Sequence, residues 1–362
     1  MQDYDQEENN RQIPFSEVIE ALLNNQQPFP AIMLPSFSDL SEENLAALQT
    51  IWLQIQPQRR AALLEDLDEI QDRDTLSDFS SLSQFALEDP LPKVRTQAID
   101  MLWDWPQKQL ARQFMRMLEN DPDENVRAAA ATALGNYIYL GELDEFPSDL
   151  SVQIVETLVR VIKGKDDKTV RMRALESVSY SSNEAIPALI QAAFQDSDRE
   201  WLISALFAMG RSGDEAWNPN VLSCLDHSVP EVQAEAVRAA GELEIQEARQ
   251  PLIDMLEEYE TLDDNVRIAA VVSLSRIGGE GVRQSLEAML EEINDDEEAD
   301  IISAALENLD FVDLGLLPGM FDFSPIRPHE DDEDDSDYLE DWELDDENEE
   351  DWDLDNGAEE DE

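Results

Sequence analysis

One pattern of apolar and polar positions recurs through the middle of the chain: an acidic turn, then a Val-Arg pair, then an Ala-rich apolar helix. Its full copies begin at Val94, Val126, Val170 and Val266, and weaker copies begin at Trp201 and Val232. The intervals between successive copies are 32, 44, 31, 31 and 34 residues, and residues 301–306 carry a degenerate last copy. Self-similarity at such a period is typical of repeat proteins.

A second amphipathic helix lies between successive copies, as at Leu110, Phe114 and Met117, where apolar residues follow helical spacing. Each unit is therefore predicted to be a helical hairpin, with an Asp before the Val-Arg helix as its N-cap. One hairpin cannot bury its own apolar face, so the units must stack. The sequence predicts an all-α fold, an α-solenoid over residues 80–310. The extra residues of the longest interval, around 137–147, are interpreted as an extended hairpin loop.

The phrase of an Asp, a Val-Arg pair, Ala residues and a final Leu-Gly, as in the stretch from Asp121 to Gly135, resembles the HEAT-repeat superfamily. It is most similar to the short repeats of phycobilisome-lyase-type proteins. This resemblance implies a curved stack of helical hairpins. Members of the superfamily include scaffolds, transport adaptors, assembly factors and a few enzymes, so the resemblance leaves the chemistry open.

The regions outside the repeats differ from one another in composition. Residues 40–79 contain two apolar helix patterns broken by Pro57, and they are predicted to form an N-terminal helical cap. Residues 1–39 are predicted to be a loosely attached segment, whose amphipathic stretch from Phe15 to Leu23 either packs along the cap or is partly free. Residues 311–328 are predicted to be a linker, and residues 329–362 an acidic disordered tail.

The charge balance limits the kinds of partner. The chain has 24 Lys and Arg against 85 Asp and Glu, a net charge of −61, and 22 of the acids lie in residues 329–362. Subtracting those 22 leaves 63 acids against the same 24 cations, a balance of −39. Nucleic acid and anionic membranes are therefore excluded as expected partners, and a basic protein is favoured. The acidic start lacks the features of a secretory signal, so we expect a cytoplasmic protein. We also expect it to be a monomer.

Residues that carry out catalysis or bind metals are scarce. Cys224 is the single cysteine, and His227 and His329 have no second His or Cys at ligand spacing. No nucleophile stands beside a base. We therefore expect no catalytic residue, no metal and no cofactor.

Two rows of residues are candidate binding surfaces. Arg95, Arg127, Arg171 and Arg267 follow the anchors of the repeat, and we interpret them as a ladder between neighbouring turns in preference to a binding strip. Positions six and ten residues after each anchor are predicted to lie on the concave face. They place together an aromatic and basic cluster that could accept an acidic, aromatic ligand: Tyr180, Phe207, Arg211, Arg238 and Arg276.

The acidic tail contains a repeated pattern. Residues 341–345 read Asp-Trp-Glu-Leu-Asp, and residues 351–355 read Asp-Trp-Asp-Leu-Asp. The pattern is either a pair of short binding motifs anchored by Trp342, Leu344, Trp352 and Leu354, or drift in a low-complexity tract.

Three functions follow as hypotheses. The first is a non-enzymatic scaffold or adaptor that binds a basic protein partner through the concave face, with the tail as a second contact or an autoinhibitor. The alternative is a subunit of an enzyme such as a bilin lyase-like assembly factor. The third is a purely structural role with self-association through the repeat edges.

Overall fold

The computed structural model describes residues 13–293 and 295–313, and it is helical throughout the repeats. The helices are α1 Phe15–Leu23, α2 Glu42–Ile51, α3 Pro57–Arg73, α4 Ser80–Ala86, α5 Pro92–Asp100, α6 Lys108–Asn120, α7 Glu124–Glu142, α8 Ser148–Ile162, α9 Lys168–Val178, α10 Ile186–Phe194, α11 Arg199–Ser212, α12 Asn218–Leu222, α13 Pro230–Glu242, α14 Arg249–Glu257, α15 Asp264–Ile277, α16 Val282–Glu292 and α17 Asp296–Asp313. No strand occurs within the described ranges.

From α4 to α17 the helices form seven antiparallel hairpins, and each even-numbered helix packs against the odd-numbered helix that follows it. The odd-numbered helices carry the Val-Arg positions, and they pack on one another in a continuous row from α3 to α17. The even-numbered helices touch their neighbours in the row much less. The predicted all-α solenoid is confirmed.

Aspartates cap several of the odd-numbered helices, as the sequence predicts. The Asp123 carboxylate accepts a hydrogen bond from the Asn125 N–H at 3.0 Å, and that of Asp263 accepts one from the Asn265 N–H at 3.0 Å. Both contacts satisfy N–H groups that have no partner within the helix. The acid before α7 and the acid before α15 therefore start these helices at fixed residues, whereas α5 has Leu91 at its N-cap and no side-chain cap.

Small residues let the odd-numbered helices approach closely. A Cβ on Gly241 of α13 would lie 2.7 Å from the Cα of Ser273 in α15, and a Cβ on Gly135 of α7 would lie 3.2 Å from the Cβ of Ser177 in α9. The Ser273 hydroxyl also donates to the Val237 carbonyl at 2.8 Å. The Gly at the end of the repeated phrase is thus the point where one repeat meets the next.

The N-terminal segment packs along the cap. Val18 and Leu22 of α1 are buried in the common apolar core. The guanidinium of Arg59 in α3 donates to the carbonyls of Ala21 at 2.9 Å and Asn24 at 2.7 Å. These carbonyls end α1 and lack partners within it, so Arg59 both caps α1 and joins it to α3.

The insertion in the longest interval is mainly helix, and the expectation of an extended loop is wrong. Helix α7 continues to Glu142 and α8 begins at Ser148, so the connection is short. Tyr137 is fully buried, and its ring packs edge-on against Phe114 and Phe146 at centroid distances of 6.2 and 5.1 Å. Burial of this aromatic cluster stabilises the additional turns of α7.

Candidate functional site

Arginines join neighbouring repeats at the turns. In α5, Arg95 donates from Nε and Nη2 to the two carboxylate oxygens of Asp121, at 2.9 and 2.6 Å, and Asp121 lies in the next turn of the stack. Its Nη1 donates to the Asp89 carbonyl at 2.8 Å. Both charged side chains are 9% exposed. One guanidinium thus fixes its own turn and the next one by bidentate geometry.

The same contact recurs along the stack, and we call these pairs the turn ladder. Its members are Arg60–Asp89, Arg95–Asp121, Arg127–Asp166 and Arg267–Glu298. The ladder that the sequence predicts is therefore present for three of its four arginines. The pair of Arg60 and Asp89 was missed, because Arg60 lies in the predicted cap and no Val precedes it. Its position 35 residues before Arg95 is the signal that could have found it.

The turn ladder is interrupted in the central repeats. The guanidinium of Arg171 in α9 lies over the Trp201 ring at 5.2 Å, and its Nε donates to the Ile162 carbonyl at 2.9 Å. Leu202 stands at the next ladder position. Gln233 follows, and it donates to the carbonyl of Leu225 at 2.9 Å. Arg171 and Gln233 thus bond to a carbonyl of their own repeat, and Arg171 also contacts an aromatic ring, whereas each ladder arginine binds an acid of the next turn.

The partly exposed line of the odd-numbered helices, here called the inner face, brings three predicted residues together. The guanidinium of Arg211 in α11 lies 5.2 Å from the ring centroid of Phe207 and 6.0 Å from that of Tyr180. All three side chains are partly exposed. Arg211 also pairs with Glu242 of α13, with Nε and Oε1 3.6 Å apart. The cluster therefore consists of rings around an arginine whose charge a carboxylate already balances.

Arg238 and Arg276 lie further along the inner face. Arg238 is exposed, and its Nη1 lies 2.7 Å from Oε2 of Glu235, one turn earlier in α13. Arg276 is partly exposed on α15. The structure thus spreads the five predicted residues of the described chain over four repeats, with Arg211 in contact with both Tyr180 and Phe207. Trp342, Leu344, Trp352 and Leu354 lie outside the described residues.

Two glutamates of the inner face are buried. Glu176 lies six residues after the Val170 anchor and was therefore predicted to face outward on the concave side, but it is only 6% exposed. Its Oε1 accepts the Ser204 hydroxyl at 2.6 Å where α9 packs against α11. Its Oε2 accepts from Arg173 at 2.7 Å. Burial raises the pKa of Glu235 to about 7, opposed by Arg238 and assisted by the like charges of Glu242 and Glu176.

Tyr139 is the residue that sequence reasoning missed. Its ring contacts that of Tyr180 at a centroid distance of 5.6 Å, and the side chain is 47% exposed. Its position three residues after Asn136 continues the line on the extra turns of α7, which is the signal that could have found it. We call Tyr139, Tyr180, Arg211 and Phe207 the aromatic strip.

The reactive side chains of the described chain have ordinary structural surroundings. Cys224 is buried, and burial raises the pKa of its thiol. His227 accepts a hydrogen bond at Nδ1 from the Val229 N–H at 3.2 Å, which fixes the turn before α13. No group of three or more His, Cys, Asp or Glu side chains suited to a metal ion occurs within the described residues. In the same part of the chain, no helix has the length and apolar character needed to cross a membrane.

The stacked hairpins with a continuous inner row of helices define the class of α-solenoids. The family model of HEAT repeats matches residues 79–179, 186–262 and 218–310, which together span more than half of the chain. The chain belongs to the HEAT-repeat family. No curated protein matches its sequence.

Solved structures are similar in fold. The Escherichia coli protein YibA has 18% sequence identity, with 77% of this chain and 95% of that chain covered and a TM-score of 0.42. The complex of CpcE and CpcF of phycocyanin lyase from Nostoc sp. PCC7120 has 20% identity, with 64% and 94% covered and a TM-score of 0.43. Importin beta has 12% identity, with 82% and 46% covered and a TM-score of 0.40. These likenesses concern the fold alone.

Proposed function

We propose that the chain is a non-enzymatic scaffold that binds a basic protein on the inner face of its solenoid. The observation that supports this most strongly is the way the cations are used. The turn ladder engages Arg60, Arg95, Arg127 and Arg267, and carboxylates balance Arg211 and Arg238 on the inner face. Carboxylates thus already engage many of the cations, and the chain as a whole carries a net charge of −61, which favours a basic partner.

The excess negative charge of the chain attracts a positively charged partner over several ångströms, and this attraction weakens as the salt concentration increases. The inner face offers a long surface for such a partner, because one row of helices runs from α3 to α17. The likeness to phycocyanin lyase is one of fold and adds no bilin to the proposal.

The acidic tail is proposed as a second contact for the same partner and not as an autoinhibitor. An internal competitor would need free positive charge on the inner face, whereas Arg211 lies beside Glu242 and Arg238 beside Glu235. The two alternatives predict opposite effects of the tail on the affinity for the partner. Replacing Trp342 and Trp352 by Ala should weaken partner binding if the tail is a contact, and should strengthen it if the tail competes.

A photo-crosslinking residue placed in the full chain tests the proposal. Thr132 of α7 lies on the inner face, and Gln153 of α8 is exposed on the other layer and is the matched control. We expect position 132 to capture a protein of net positive charge when the chain is irradiated in a cell extract of the source organism. We expect position 153 to capture little, and salt of about 0.5 M to abolish the product. Equal capture from both positions, or capture of an acidic protein, would contradict the proposal.

A further inference from the structure

We infer that Tyr139 and Tyr180, at the exposed end of the aromatic strip, form a docking point for an arginine side chain of the basic partner. The inference rests on the proposed function and adds that an arginine of the partner contacts these two tyrosine rings. It concerns the end of α7, the start of α8 and the turn after α9.

The aromatic strip already contains the chemistry that such docking requires. Arg211 lies within 6.0 Å of the Tyr180 ring centroid and 5.2 Å of that of Phe207, distances at which a cation is attracted to the electron-rich ring face. The Tyr139 ring continues the strip at 5.6 Å from Tyr180, and its 47% exposure leaves ring surface open to solvent. A ring with this exposure can accept a second cation from outside the chain.

The chain segments that hold Tyr139 and Tyr180 contain acids and no Lys or Arg, and Arg211, beside Tyr180, is paired with Glu242. Residues 139–152 contain four acids and no Lys or Arg, and residues 180–187 contain Glu184 and no Lys or Arg. Glu142 is held near Tyr180, because its Oε1 accepts the Ser182 N–H at 3.0 Å. An incoming cation at this place therefore gains both ring and carboxylate contacts.

Apolar surface is also present beside the connection between α7 and α8. Leu143 is 51% exposed and Val152 is 56% exposed. Such surface suits the three-carbon stem of an arginine, which buries along apolar neighbours while the charged group stays outside.

Arginine fits the site better than lysine. The planar guanidinium stacks on aromatic faces and is more weakly hydrated than an ammonium group. Three arginines of the described residues lie over aromatic rings in this way: Arg60 over Trp52, Arg171 over Trp201 and Arg211 over Phe207. Charge complementarity also favours a basic partner over a second copy of this acidic chain.

The test compares two labelled peptides of twelve residues, one alternating Arg and Ser and the other Lys and Ser, for binding to the full chain at about 0.15 M salt. We expect the wild type to bind the arginine peptide about threefold to fivefold more tightly. Tyr139→Leu should reduce this preference to near one, and Tyr139→Phe should retain it because the ring remains. Glu156→Gln, at an exposed position of α8, is the charge control and should leave the preference unchanged.

Melting curves that match the wild type establish that Tyr139→Leu is folded. Equal preference in the wild type and in Tyr139→Leu overturns the docking point and leaves the proposed function standing, because the charge attraction persists. Failure of the wild type to bind either peptide counts against both. Self-association that depends on Tyr139 in sedimentation would show a contact between two copies, and it would also overturn the inference.

Discussion

The repeats of the N-terminal half and those of the centre are joined to their neighbours in different ways. From α3 to α9 each turn is tied to the next by a bidentate arginine–aspartate pair, with side chains between 0% and 22% exposed. From α9 to α15 these pairs are missing among the described contacts at the ladder positions, where Arg171, Leu202 and Gln233 stand.

In the central repeats Lys168 pairs with Asp198 and Glu200 at one turn, and the closest contacts between repeats lie along the inner face. Gly210 of α11 would place a Cβ 3.1 Å from the Cα of Ala239, and Gly241 of α13 is in still closer contact with Ser273. Buried carboxylates add polar contacts, such as that of Glu176 with Ser204. The comparison shows that one stack can be held at its turns or along its inner helices. Tyr180, Phe207 and Arg211 of the aromatic strip lie at the start of the region where the second mode operates.

Removing a buried member of the turn ladder should have the largest effect. Arg95→Ala leaves the Asp121 carboxylate buried without its partner, and breaking such a pair costs about 3–5 kcal/mol. We expect the free energy of unfolding, measured by urea titration with circular dichroism, to fall by about that amount.

Two further variants show whether burial determines this cost. Arg127→Ala, whose pair is 17% and 22% exposed, should lose less than Arg95→Ala. Lys93→Ala, whose pair with Glu65 is 63% and 43% exposed, should lose under about 1 kcal/mol. Equal losses in all three would contradict the role assigned to the ladder in the N-terminal half.

Glu235, buried on the inner face, should make the stability of the central repeats depend on pH. Its pKa of about 7 in the folded chain lies above the ordinary value of 4.5, so the folded chain binds the proton more tightly than the unfolded chain does. Its contribution to stability is therefore present below about pH 4.5 and is lost as the pH rises through about 7. Glu235→Gln should be more stable than the wild type at pH 8 by about 2 kcal/mol, and equal to it near pH 5.

Urea titrations across this pH range check the expectation. Glu231→Gln, at an exposed position of the same helix, is the matched control and should keep the wild-type slope. A wild-type slope in Glu235→Gln would show that the buried carboxylate is not the group that titrates.

The glycine contacts test how closely the inner helices approach. A Cβ on Gly241 would lie 2.6 Å from the Cβ of Ser273 and 2.7 Å from its Cα, so Gly241→Ala forces backbone to move. Overpacking costs about 1–3 kcal/mol, which exceeds the gain of up to about 1 kcal/mol in helix propensity. We expect a net loss of about 1–2 kcal/mol in urea titration.

Gly135→Ala is the matched comparison. Its Cβ would lie 3.2 Å from the Cβ of Ser177, and small shifts relieve such a contact. The cost of overpacking and the gain in helix propensity should therefore nearly cancel. A larger loss in Gly135→Ala than in Gly241→Ala would contradict the closeness assigned to α13 and α15.

The sequence predicted the all-α solenoid and the ladder because both depend on residues at fixed offsets from a repeated anchor. Arg95 and Asp121 could be paired by that rule alone. It could not predict that Glu176 is buried, because burial there depends on Ser204 in the next repeat, 28 residues later. It also missed Tyr139, which reaches the inner face because α7 is longer than the other helices of its row. Features that repeat were predictable, and those arising from one irregular repeat were not.

Restoring a ladder arginine in the centre should have the smallest effect. Gln233 already donates to the Leu225 carbonyl, as Arg95 donates to that of Asp89, but it has no second group for an acid of the next turn. Gln233→Arg would present a guanidinium toward the turn before α15, where Asp263 and Asp264 lie. Because those acids are exposed, we expect a gain under about 1 kcal/mol in urea titration, reduced by high salt. Gln233→Lys is the control. It adds the positive charge without a planar guanidinium that can bind a carboxylate through two donors, so the gain in stability should be smaller. Destabilisation by Gln233→Arg alone would show that the centre of the stack has no room for a turn ladder, and that its two modes of joining repeats exclude one another.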